Sequence, residues 1–200
     1  MVEHENGYNA LNITNKHRYI LQDMLKAMGS NHKISIKRRG GVPNLSYFQI
    51  QIRDRVIYND LLDLGITPRK SRTIRMPNVP AAFVGDFMRG CFDGDGSITL
   101  WQDPRWRHPW QARAVFSSGN RDFLTDIQRK LNKEAGLSVG SIQKTREEYQ
   151  LCYSIADSIK LYRFMYKNAD NGFMYLKEKL NKFKFFKKLR PERFRDSFKN

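Results

Sequence analysis

Apolar residues near the start of the chain recur first at helical spacing and then in alternation with polar ones. A helix is predicted by the series Ile20, Leu21, Met24, Leu25 and Met28. Residues 33–38 and 47–54 alternate around the turn-forming segment GGVPN, which predicts a β-hairpin. One face of this hairpin is apolar, and the other carries amides and cations.

The same order of elements returns about a hundred residues later. The segment NRDFLTDIQRKL reads as a second copy of HRYILQDMLKAM, pairing Leu21 with Leu124 and Met24 with Ile127. Alternating strand patterns follow both segments in the same order. We therefore predict a tandem repeat, in which the second copy alone is preceded by a further helix and hairpin.

The additional helix is predicted over residues 81–96, after Pro80, which suits a first helical turn. Asp93 and Asp95 lie at its C-terminal end, where the helix dipole disfavours negative charge. We therefore expect a cationic group to compensate them. Gly90 and Gly94, four residues apart, allow a second backbone to approach the same helical face.

Charge narrows the choice of partner. The 36 Lys and Arg against 20 Asp and Glu give a net charge of +16, which predicts nucleic acid, with an anionic membrane as the rival. A content of 40% hydrophobic residues is enough to form a core, but no uninterrupted run is long enough to span a membrane. The acidic, polar start predicts no targeting signal, and Cys91 and Cys152 lack a zinc-type spacing. We expect an intracellular protein, either cytoplasmic in a bacterial or phage setting or encoded within an organelle.

The segment MRGCFDGDG, residues 88–96, resembles the LAGLIDADG motif of homing endonucleases. LGITPRKS, YLKEKLNKF and the repeat extend the resemblance over about residues 11–185. It implies an α+β fold of αββαββα repeats whose antiparallel sheets form a saddle over the DNA major groove. In these terms residues 1–78 are a first repeat lacking its motif helix, residues 79–185 are a complete second repeat, and residues 186–200 are a basic tail.

The resemblance also implies an activity, namely Mg²⁺-dependent, site-specific cleavage of double-stranded DNA in intron homing. It makes Asp95 the metal ligand, and we expect a structural or outer-sphere role for Asp93. Lys179, or less favourably Lys177, would stabilise transition-state charge or assist proton transfer near the metal. Lys70 would be its counterpart from the first repeat. Asn120 would help to position solvent, and Gly90 and Gly94 would pack the motif helix against another.

The chain departs from the two-repeat family pattern because it carries one acidic motif. Cleavage of both strands then requires a homodimer or a complementary LAGLIDADG chain. The alternative is a non-cleaving protein on the same scaffold, a regulator or a maturase that binds intron RNA. For the motif itself, the alternative without function is an Asp-Gly turn that ends the helix. An EF-hand calcium loop is excluded because Ile98 and Pro104 occupy its glycine and glutamate positions.

The polar positions of the predicted hairpins are the candidates for DNA contact, since arginine reads guanine and glutamine reads adenine in the major groove. They are Lys37, Arg39, Gln49, Gln51 and Arg53 in the first repeat, and Thr99, Trp101, Arg105, Arg107, Gln111 and Arg113 in the second.

Overall fold

A computed structural model describes residues 2–3, 9–38, 46–167 and 174–195. The chain divides into two compact units, Met1–Lys70 and Ser71–Asn200. This division falls eight residues before the boundary that the sequence pattern indicates, because the linker is bound to the second unit. Asp126 accepts bonds from the Arg75 side chain at 2.8 Å and from the Met76 N–H at 3.4 Å.

The described residues of the first unit form one antiparallel sheet with the strand order β1-β2-β4-β3 and two helices. Its elements are β1 Val2–Glu3, β2 Asn9–Asn15, α1 Arg18–Ala27, β3 Ser35–Arg38, β4 Ser46–Ile52 and α2 Arg55–Asp63. The core is formed by alternate residues of β4 and one face of each helix, with Leu21, Ile50 and Tyr58 buried.

The second unit repeats this arrangement behind a leading helix, and its sheet has the matching order β5-β6-β8-β7. Its elements are α3 Val84–Asp95, β5 Ser97–Gln102, β6 Trp110–Ser118, α4 Arg121–Ala135, β7 Ser141–Lys144, β8 Tyr149–Cys152, α5 Ile155–Tyr166 and α6 Lys177–Leu189. Short 3₁₀ turns lie at Lys70–Arg72, Ala81–Phe83 and Pro191–Arg193. The predicted αββαββα order is confirmed, with α6 added after it.

Apolar side chains from all the helices of the second unit and from the inner face of its sheet meet in one core. Met88 and Phe92 of α3 are fully buried there, together with Phe116 of β6 and Phe183 and Phe186 of α6. The Phe92 ring lies 5.4 Å from that of Phe116, centroid to centroid, in an edge-on arrangement. Because α6 runs to Leu189, the first residues of the predicted basic tail are helical and contribute to this core.

Two of the helices, α4 and α5, begin at residues that are typical N-caps. Asn120 and Ser154 cap α4 and α5 by accepting the N–H groups of Asp122 and Asp157. Gly136 ends α4 in the left-handed conformation, with φ of 60°. Among the described residues, no helix has both the length and the apolar character needed to cross a membrane.

Candidate metal centre and nucleic-acid interface

Asp93 and Asp95 lie in the last turn of α3, but their surroundings differ. Asp93 is half-buried, and its carboxylate accepts the Tyr166 hydroxyl at 3.1 Å and the Leu176 N–H at 2.8 Å. Asp95 is the last residue of α3 and is exposed. Within the described part of the chain, its carboxylate has no hydrogen-bond or salt-bridge partner. Asp95 is therefore available to a ligand, whereas Asp93 is committed to the fold.

The expected cation at the end of the motif helix is Lys179. Its Nζ donates to the carbonyl oxygens of Phe92 at 2.6 Å and Asp93 at 2.7 Å, so α6 caps the C-terminus of α3. The ammonium also lies 5.5 Å from the centroid of the Phe92 ring, within cation–π range. Burial lowers the pKa of Lys179, and the carboxylates of Asp93 and Asp95 partly oppose that shift.

The same burial raises the pKa of Asp93, although its two hydrogen-bond donors and Lys179 favour the charged form. It also raises the pKa of the Cys91 thiol, one turn before Asp95, to about 12, with the negative charge of Asp95 adding to the effect. Burial therefore disfavours the thiolate form of Cys91.

These surroundings suit a weakly held hard cation better than a closed metal site. The described residues contain no group of three or more His, Cys, Asp or Glu side chains that could enclose a metal. Mg²⁺ commonly binds through one or two carboxylates, retained waters and substrate phosphates. The free carboxylate of Asp95 fits that donor set.

The other sequence-predicted residues around the metal have different positions. Lys70 is half-buried and begins the 3₁₀ turn at the end of the first unit. The Asn120 side chain is engaged through both ends of its amide, since its Nδ2 donates to the Ile74 carbonyl at 2.8 Å while Oδ1 caps α4. Both assignments stay predictions.

The outer face of the second sheet forms a shallow groove of about 400 Å³ that begins two residues after Asp95. Its lining is polar or small apart from one tryptophan and one valine: Ser97, Thr99, Trp101, Arg113, Val115, Gln143, Gln150 and Cys152. The ladder places Thr99 opposite Arg113 and Gln143 opposite Gln150. The structure thus brings three of the candidate DNA-contact residues, Thr99, Trp101 and Arg113, together on one surface.

Gln143 and Gln150 were missed in the sequence. The signal for them was the burial of their neighbours, because Leu151 is a core residue and strand alternation turns Gln150 to the opposite face. Both strands have only four residues. So short an alternation is a weak signal, and the face is identified by the pairing of β8 with β6 and of β7 with β8.

Two predicted hairpin side chains are engaged within the protein. Gln111 is almost fully buried, and its Nε2 donates to the carbonyls of His108 at 3.2 Å and Pro109 at 3.4 Å. Arg105 is exposed, but its guanidinium forms two bonds with Asp103 at 2.9 and 2.7 Å. In contrast, Arg113 lies 5.4 Å from the Trp101 ring centroid in the groove, and Arg107 is exposed.

The hairpin of the first unit presents a similar polar face. Gln49 and Gln51 alternate with buried Ile50, and Gln49 pairs with Ser35 on β3 and with Thr14 on β2. Lys37 and Arg53 are exposed, at positions facing the same way by alternation. Arg39 lies outside the described residues. DNA contact by any of these side chains stays a prediction.

The glycines of the motif helix are open to approach. A Cβ built at Gly90 or Gly94 would meet no described atom within 4 Å. On the opposite side of α3, Arg89 is buried and donates to the carbonyls of Met165 at 3.0 Å and Met174 at 2.9 Å, and to Asp86 at 2.6 Å. This arginine ties α3 to α5 and to the segment before α6.

Comparison with known proteins gives the fold. No protein-family model and no curated protein matches the sequence. Among solved structures, the chain is similar to the homing endonuclease I-WcaI bound to its DNA recognition sequence, with a TM-score of 0.57, 12% identity, and coverage of 88% of this chain and 76% of that one. It is also similar to I-DmoI in complex with DNA and Mn, with a TM-score of 0.54, 15% identity, and coverage of 82% and 85%.

A third similar structure is the N-terminal LAGLIDADG domain of WhiA, with a TM-score of 0.50, 14% identity, and coverage of 82% and 76%. The chain therefore has the fold of the LAGLIDADG homing endonucleases, as the sequence indicated. At these identities the likeness establishes the fold alone, and a fold hosts more than one function.

Proposed function

We propose that this chain is a site-specific DNA endonuclease that requires a divalent cation, with Mg²⁺ as the natural ion. The observation that carries the proposal is the exposed, unshared carboxylate of Asp95 at the start of a polar sheet face. Asp95 would hold the cation. When bound, the cation would supply an activated water and stabilise charge on the scissile phosphate.

The remaining residues of the site support binding and positioning. Asp93 fixes the end of α3 to Tyr166 and to the residue before α6, which holds the Asp95 backbone in place. The Lys179 ammonium donates two of its three N–H groups to α3 carbonyls, and the third is available to donate to a phosphate oxygen. Arg113 and the glutamines of the groove present donors suited to base edges. Lys70 is proposed as a further cation near the phosphate.

Cleavage of both strands needs a second acidic motif, and we propose that a second copy of this chain or a complementary LAGLIDADG chain supplies it. The small, unobstructed Gly90 and Gly94 positions of α3 support a helix-to-helix contact there. Sedimentation of the protein with and without DNA tests this step. A complex containing one copy of the chain and no partner would contradict it.

The test of activity is cleavage of a random-sequence duplex library with Mg²⁺, followed by sequencing of the cut ends. We expect Asp95→Asn to abolish cutting while duplex binding is retained. The matched control is Asp63→Asn, which removes an exposed carboxylate at the end of α2 and is expected to cut like the parent. Equal cutting by Asp95→Asn would exclude Asp95 as the metal ligand.

A non-cleaving nucleic-acid-binding protein is the second candidate, and the single acidic motif is the observation in its favour. It predicts salt-sensitive binding of DNA or intron RNA without turnover in Mg²⁺ or Mn²⁺. Cation-dependent cutting by the purified parent that Asp95→Asn abolishes would eliminate this candidate.

A further inference from the structure

The loop that joins β5 to β6 holds a tryptophan in solvent. Trp106 has 62% of its surface exposed, while loops of this kind usually bear small or polar residues at the tip. The loop follows the groove strand that begins beside Asp95. An exposed indole at this position requires an explanation, because an aromatic ring gains most from burial.

The loop is ordered by Asp103 rather than left free. The Asp103 N–H donates to the Pro109 carbonyl at 2.8 Å, and the Trp106 N–H donates to the Asp103 carbonyl at 3.2 Å. The Asp103 carboxylate accepts bonds from the Arg105 guanidinium at 2.9 and 2.7 Å and from the Arg105 N–H at 3.2 Å, and Arg105 lowers the pKa of Asp103 to about 2. The backbone on both sides of Trp106 is therefore fixed by Asp103.

A second set of contacts fixes the base of the loop. Arg190 is buried after α6, and its guanidinium donates to the carbonyls of His108 at 3.2 Å and Trp110 at 2.7 Å. The buried amide of Gln111 bonds to the same stretch, and the Phe185 ring packs edge-on against Trp110 at 6.0 Å. Loop and helix end thus fix the backbone that presents Trp106 before any partner binds.

From this preorganisation we infer that Trp106 is a wedge that stacks on the bases of duplex DNA, beside a phosphate contact from exposed Arg107. The indole face is suited to base stacking, and apolar side chains inserted between base steps are an established mode of DNA contact. The chain's charge of +16 favours a polyanion over an apolar partner. A loop whose backbone is already fixed also loses little conformational freedom on binding.

The position along the duplex follows from strand length. β5 has six residues, which at about 3.3 Å each span about 20 Å from the Asp95 end to the loop. For a strand laid along the duplex axis, with about 3.4 Å per base pair, the wedge is expected about six base pairs from the phosphate nearest Asp95. This inference rests on the proposed DNA binding but not on cleavage.

The test measures the affinity of the full chain for a labelled random-sequence duplex over a range of salt concentrations. Trp106→Ala is expected to weaken binding by about tenfold or more with an unchanged salt slope, because stacking releases no counterions. Trp106→Phe keeps a stacking ring and is expected to recover most of the affinity. Arg107→Gln is expected to reduce the salt slope by about one.

Val139→Ala is the control, because it trims a side chain that is 78% exposed and lies outside this loop. Thermal unfolding of each variant separates loss of contact from loss of fold. Binding by Trp106→Ala within about twofold of the parent would overturn the wedge, as would a loss that Trp106→Phe fails to recover. A parent that binds no duplex would overturn the wedge and the proposed function together, whereas a parent that binds but never cuts would overturn cleavage alone.

Discussion

Replacing Lys179 by methionine tests the cap that joins α6 to the end of the motif helix. Methionine keeps most of the apolar stem but removes the ammonium that donates to Phe92 and Asp93 at 2.6 and 2.7 Å. Hydrogen bonds to charged groups contribute about 1.5–3 kcal/mol each. Release of a half-buried charge offsets part of that loss, so the expected net destabilisation is about 2 kcal/mol.

Urea unfolding followed by tryptophan emission measures this change, because all three tryptophans belong to the second unit. With a slope of about 2 kcal/mol/M, the midpoint should fall by about 1 M while the slope stays constant. Lys184→Met is the matched control, since Lys184 is exposed on the same helix and its loss should cost less than about 0.5 kcal/mol. Equal midpoints for the two variants would refute a stabilising cap.

Two further substitutions probe the contacts that hold α3. Burial raises the pKa of Asp93, so the folded state binds its proton more tightly than the unfolded state, and stability falls as pH rises from 3.8 through the raised value. Asp93→Asn cannot ionise and should become more stable relative to the parent over that range; parallel stability curves would contradict this. Arg89→Met leaves the carbonyls of Met165 and Met174 without their donor. The free energy of unfolding in urea is expected to fall by about 3 kcal/mol. A shift no larger than that of Lys184→Met would contradict this prediction.

Local periodicity predicted the elements well because each one must bury a single face. The alternation around Ile50 predicted β4, and the spacing of Leu21 and Leu124 predicted equivalent helices in the two repeats. The carboxylates at the end of α3 also indicated that a cation must be near. The sequence pattern did not identify the short strands β7 and β8 as part of the groove, since four residues give too little alternation.

The sequence by itself determined the repeat, a motif helix with two carboxylates at its C-terminal end and the polar faces of the hairpins. Only the tertiary structure decided which carboxylate is free, because Tyr166 and Leu176 reach Asp93 from more than seventy residues away. It also decided that Gln111 and Arg105 are engaged by their own loop while Trp106 is presented to solvent. Spacing along the chain fixes the face on which a side chain lies, but the partner it meets there depends on how distant segments pack.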